Sequence, residues 1–213
     1  MNLPASDAPI AYIVDDDPEV SEGISDYLDA KGIASCCFDR CERFLDLWQD
    51  NRPGCLILDY QLPELSGLEL QQRLIHNQVE IPVIFMTAHS SVPVIRAAMK
   101  AGAVEFLCKP FAMEELLLAV RQAFAKDIVR HKQQAEEEEL RNRIALLTPR
   151  ESQVLAAILA GLLNKQIAAQ LKISEAMVKQ HRHQVMLKMH ADSSFELIKK
   201  CAAWQDIKTK KHL

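Results

Sequence analysis

Short apolar runs alternate with amphipathic stretches through the first 125 residues. The runs fall at about 10–14, 33–38, 54–59, 81–86 and 104–107. Between them, 18–31, 41–50, 66–77, 91–101 and 112 onward place apolar residues at helical spacing. Five βα units of this length predict a parallel sheet with helices on both faces. Right-handed crossovers then favour a doubly wound α/β sheet, whose ligand site lies beyond the carboxyl ends of the strands.

After Pro110 neither Gly nor Pro occurs before Pro149, so nothing stops the last of these helices early. "AKDIVRHKQQAEEEELRNRIALL" keeps helix-forming residues throughout and predicts a long helical linker. Glu137 with Arg141, and Glu139 with Arg143, are spaced as i,i+4 pairs, and Glu136–Glu139 form a solvated face. Ile128, Leu140, Ile144 and Leu147 are also spaced to seal a dimer seam along it. In "LLTPRESQVL", Thr148 is an N-cap, Pro149 takes the first helical position, and Glu151 closes a capping box. Gly161 suits the left-handed residue past that helix. "NKQIAAQLKISEAMVKQHRHQVMLKM" then predicts a short helix, a tight turn and a second helix starting at Ser174. That is helix-turn-helix spacing. A final helix at about 193–205 would cover the apolar back. The chain thus divides into 1–125, a helical linker over 126–146, and an all-α domain over 147–213.

Composition adds little to this picture until the charge is split. Of the 213 residues 49% are apolar and 25% charged, as in ordinary globular chains. The longest apolar run, 154–163, is well short of the roughly 18–20 residues a bilayer span needs, and no export signal is evident. The six cysteines form no CxxC pair and fit free thiols in a cytoplasmic protein. Residues 1–127 hold 10 Lys+Arg against 20 Asp+Glu, a net −10. Residues 148–213 hold 11 against 5, a net +6. An acidic chemistry module joined to one that meets a polyanion accounts for that asymmetry.

The first and third apolar runs both end in acids, Asp15, Asp16 and Asp17 in one case and Asp59 in the other. Asp17 precedes Pro18 at an N-cap position and is assigned to helix capping. The others repel one another at close range and need compensation. Hard oxygen ligands with room for waters describe Mg2+. Lys109, ending the fifth run, and Thr87, ending the fourth, bring an ammonium and a hydroxyl to the same sheet edge. Such a site suits phosphoryl transfer onto Asp59 as a carboxylate nucleophile.

"YIVDDDP", "LILDYQLPELSGLEL", "FMTAHSSVP", "AMKAGAVEFLCKPF" and "GLLNKQIAAQL…VKQHRHQVMLKM" together resemble a two-component response regulator of the NarL/FixJ class, with a FixJ-like receiver and a LuxR-type helix-turn-helix. The resemblance covers nearly the whole chain and implies the strand order 2-1-3-4-5. It implies that Asp59 accepts a phosphoryl group from a sensor histidine kinase. Asp16, Asp59 and the Gln61 carbonyl would ligate Mg2+, with Asp15 acting through water. Thr87 would be the switch hydroxyl, Phe106 the switch aromatic, and Lys109 the phosphate partner before a cis Pro110. Without the resemblance, Phe106 reads first as a core aromatic. The resemblance further implies a transcription regulator, not an enzyme, that forms a homodimer on phosphorylation and engages promoter DNA and RNA polymerase. Ser90 stands where relatives show Gly.

Lys179, His181, Arg182, Gln184 and Lys188 fall on the second helix of the motif, with Val178, Val185 and Met189 on its inward side. By analogy with the class, Lys179 and Arg182 would meet bases or phosphates, and His183 and Lys165 the backbone, with His181 and Lys188 counted among the DNA-binding residues. Lys172 and His190 stand where the class carries Gly, and Met177 where it carries Thr or Val. A phosphatase of the haloacid-dehalogenase kind also uses an Asp nucleophile after a strand, but wants an acid where this chain has Gln61. A regulator gated by a small molecule would need a hydrophobic pocket domain instead of five βα units.

Overall fold

The structure is a computed structural model and describes residues 8–63, 65–88 and 92–201. Ser90, and the end of the helix expected over 193–205, lie outside the described residues. Two compact units divide the chain, residues 1–132 and 133–213.

In the first unit β1 (Ile10–Val14), β2 (Ala34–Phe38), β3 (Gly54–Asp59), β4 (Val83–Thr87) and β5 (Glu105–Cys108) form one sheet. All pairings are parallel, in the order β2-β1-β3-β4-β5. The connecting helices are α1 (Pro18–Ala30), α2 (Cys41–Leu47), α3 (Gly67–His76), α4 (Val92–Lys100) and α5 (Met113–Ala145). Alternation along the strands builds a core on each face of the sheet. Tyr12, Val14, Leu56, Leu58 and Phe85 pack with Phe44 of α2 and Leu70 and Leu74 of α3. Ala11, Ile13, Ile57, Ile84 and Met86 pack with Ile24 and Leu28 of α1 and Leu116, Val120 and Phe124 of α5. β1 and β3 are buried at every residue, which is why they read as unbroken apolar runs. Asp17 caps α1 by accepting from Glu19 N at 2.9 Å, and Ser66 and Glu69 close a capping box on α3.

The second unit holds α6 (Pro149–Leu159), α7 (Asn164–Leu171), α8 (Glu175–Lys188) and a further helix that begins at residue 194 and is described to 201. Thr148 and Glu151 make the expected capping box, and Gly161 takes the left-handed conformation with φ +75°. Val178, Val185 and Met189 are fully buried, packed with Val154, Ile158, Ile167 and Leu197. Leu140 and Ile144 of α5 pack on this same core and Leu147 is buried in it. Of the four residues spaced for a dimer seam, Leu147 is thus buried in the unit, and Leu140 and Ile144 are partly buried against it. Ile128 alone of them is exposed, because α5 changes the core it serves along its length.

Lys172 ends α7 at φ 54° and ψ 47°, and His190 follows α8 at φ 46°. Both positions are truly left-handed, so the missing glycines carry a cost. A left-handed non-Gly residue costs roughly 1 kcal/mol, against roughly 0.5 kcal/mol of extra chain entropy that Gly loses on folding. Lys172→Gly is expected to stabilise the C-terminal unit by about 0.5 kcal/mol net, read as a higher urea midpoint at unchanged slope. An unchanged or lower midpoint contradicts the strain.

Candidate functional site

β1 and β3 are adjacent and in register from Ile10↔Gly54 to Val14↔Leu58. Asp15, which follows β1, and Asp59, the last residue of β3, therefore stand side by side at the carboxyl edge of the sheet. Asp15 is 2% and Asp59 7% exposed, and Asp16 lies on the surface beside them. One oxygen from each of the three carboxylates falls within 4.8 Å of the others. Trans ligands on Mg2+ stand roughly 4.2 Å apart, so the cluster is near the span of a hard cation's shell. The donor set, carboxylates with solvent on the Asp16 side, suits such an ion.

Lys109 follows β5 and reaches across to this cluster. Its Nζ donates to Asp15 Oδ2 at 2.7 Å and stands 3.6 Å from Asp59 Oδ1. The Lys109–Pro110 peptide is cis, and Lys109 N donates to Thr87 O at 2.7 Å, holding the ends of β4 and β5 together. Thr87 is fully buried at that end. Burial pushes the Asp59 carboxyl above its usual range; the Lys109 ammonium opposes this, Asp15 and Asp16 reinforce it, and the Gln61 N–H opposes it. Asp59 is thus a carboxylate short of positive charge, and a second cation would relieve it.

One contact was hidden in the sequence. A Cβ at Gly67, the first residue of α3, would stand 2.6 Å from Asp59 O and 3.0 Å from a ring carbon of Phe85. Only a residue without Cβ lets α3 approach the Asp59 backbone so closely. Among the expected switch residues, Phe106 is half-buried, its ring 5.9 Å from that of Phe85 within the core on that face. It is a packed aromatic with part of its surface open, compatible with either reading of it. Gln61 is exposed beside the acids.

In the second unit α8 presents its basic residues unevenly. Lys179 and His183 are exposed, as is Lys165 on α7. His181 and Arg182 are half-buried on the flanks, and Arg182 donates to Ser194 Oγ at 2.7 Å. Lys188, expected at the DNA, has partners inside the unit. Its ammonium sits 2.7 Å from Glu151 and donates to Leu146 O at 3.1 Å. Lys188 thereby holds the Glu151 carboxyl below the usual carboxylate range, and its charge is committed to tying α8 to the start of α6. Gln180 was missed. Two positions after the buried Val178, it is exposed between Lys179 and His183. Helical phase counted from Val178 would have found it. An exposed amide on such a face is suited to adenine in a major groove. Met177 is 47% exposed at the start of α8.

Among the described residues no helix is long and apolar enough to cross a membrane. Residues 11–121 match the response regulator receiver domain, and residues 145–201 match the bacterial regulatory proteins of the luxR family. The response regulator protein TodT of Pseudomonas putida is 42% identical over 192 residues, covering 90% of this chain and 85% of its own. The transcriptional regulatory protein FixJ of Bradyrhizobium diazoefficiens is 37% identical over 188 residues, covering 88% and 92%. Among solved structures, that of the response regulator StyR has a TM-score of 0.85 at 40% identity, over 91% of this chain and 98% of that one.

Proposed function

The chain belongs to the two-component response regulators that join a receiver domain to a luxR-type DNA-binding domain, and from that premise we propose that phosphorylation of Asp59 by a sensor histidine kinase promotes dimerisation and promoter binding. The observation that carries this reading is the juxtaposition of Asp15, Asp16 and Asp59 with the Lys109 ammonium at the carboxyl edge of the sheet.

In the reaction an Asp59 oxygen attacks the phosphorus of a phosphohistidine. The P–O bond forms as the P–N bond breaks, and the imidazole nitrogen keeps the electron pair. Mg2+ held by Asp16, Asp59 and the Gln61 carbonyl, with Asp15 through water, would neutralise phosphoryl oxygens. Lys109 would shift from the carboxylates towards the same oxygens. The product adds about −1.5 to −2 charges and three acceptors beside Thr87 and Lys109. Thr87 would turn its hydroxyl to that group, and Phe106 would move into the space released. Lys165, Lys179, Gln180 and His183 form the surface offered to DNA, with His181 and Arg182 on its flank. RNA polymerase is the further partner of a promoter-bound regulator, and the cytoplasm the compartment where all these partners meet.

Selection on random DNA by gel shift, with and without beryllofluoride and Mg2+, tests the whole chain of events. One enriched sequence, bound at least fivefold more tightly with beryllofluoride, is expected. Equal binding in both conditions would separate the acidic site from the DNA.

A further inference from the structure

Among the described residues a second charge network lies at the opposite, amino end of the sheet. Asp127 of α5 is 1% exposed. One of its oxygens accepts from Gly54 N, the first residue of β3, at 2.8 Å, and the other accepts from Arg130 Nε at 2.6 Å. Arg130 turns its two terminal nitrogens onto Asp50, in the loop before β3, at 2.8 and 2.6 Å. His131 Nε2 stands 3.1 Å from Asp50 and 3.5 Å from Asp127, with Arg130 Nη2 at 2.8 Å. A buried carboxylate, a doubly engaged guanidinium and an outer acid are thus closed over the base of one strand.

Burial works against the Arg130 charge, yet the bonds to Asp50 and Asp127 hold its pKa above the ordinary value. Asp50 is correspondingly lowered, chiefly by its bond from Arg130. Two-point guanidinium–carboxylate pairing of this kind is geometrically specific as well as strong.

Position along α5 tells what the network does. The last α5 residue in the sheet's apolar core is Phe124, and the first in the C-terminal core is Leu140. Between them the helix carries mostly polar and charged residues, with Ile128 and Val129 exposed. Apolar packing alone would release α5 from the receiver after Phe124. The polar contacts at Asp127, Arg130 and His131 continue the attachment for about two further turns. We propose that Asp50, Asp127 and Arg130 form a latch that extends the rigid body of the receiver along α5 as far as His131. The place where the helix can bend or melt is then confined to residues 132–139, beyond the boundary at 125 that the sequence pattern suggests. This latch stands apart from the phosphoryl chemistry and survives if that reading fails.

Hydrogen–deuterium exchange on the full-length protein tests it. In the wild type, amides 125–131 should exchange at least tenfold more slowly than amides 133–139. Asp50→Ala and Arg130→Gln should each raise exchange over 125–131 at least tenfold, leaving 116–124 and Mg2+ with beryllofluoride binding unchanged. Asp50→Ala removes only the outer acid, so it carries the test should Arg130→Gln unfold the domain. Equal exchange across 125–139 in the wild type overturns the latch. So does unchanged exchange over 125–131 in Asp50→Ala.

Discussion

Asp59→Asn should abolish labelling by radioactive acetyl phosphate, leaving only the signal of a no-protein control. The amide keeps the shape of the side chain but removes the anionic oxygen that would attack phosphorus, so chemistry is lost without a new cavity. The fold should hold, because the 2.7 Å pair between Lys109 and Asp15 does not involve Asp59. In the absence of metal the variant should even melt at a higher temperature. It removes one of three crowded carboxylates, the one whose ionisation burial already disfavours. The same change should cancel stabilisation by Mg2+ with beryllofluoride. Label retained on another residue would contradict Asp59 as the acceptor. A lower melting temperature would contradict the electrostatic account of the cluster while leaving the chemistry open to its own test.

Lys179→Ala should weaken DNA binding across all sequences and lower the dependence of log affinity on log salt by about 0.9 for each protomer bound. The lysine is exposed on the outer face of α8, where an ammonium gains a phosphate without giving up an internal partner. Lys188→Ala supplies the contrast. Its ammonium is paired with Glu151, itself buried, and removing it leaves that acid without its cation. We expect a loss of about 1–3 kcal/mol of stability, seen as a lower urea midpoint, with the salt slope unchanged. Reversed outcomes, a flat slope for Lys188→Ala and an unaltered one for Lys179→Ala, would exchange the roles of the two lysines. The two variants therefore separate affinity from folding on one helix.

Much of this was readable because it is local. β1 and β3 are buried on both faces, so their apolar runs needed no partner to be recognised. The Thr148–Glu151 capping box is written within three residues, and the start of α8 at Ser174 was likewise local. The acids were found because Asp15 and Asp59 directly follow or end such runs. The internal pairing of Lys188 was not readable, because its residue type and spacing suit a DNA contact and nothing local points to an acid. Its partner within the unit, Glu151, lies 37 positions away on another helix.

What the sequence by itself determined is the set of elements, the strand ends at which chemistry-bearing residues arrive, and the sign of charge on each domain. Periodicity and composition act over one helix or strand, and a single chain displays them completely. Tertiary structure alone decided which charges are spent inside the protein. Asp127 meets Gly54 across 73 residues, and Arg130 meets Asp50 across 80. Gly67 is required only because α3 comes down on Asp59. Ion pairs and steric contacts depend on distances of a few ångströms, and those distances exist only once distant segments have been brought together by folding.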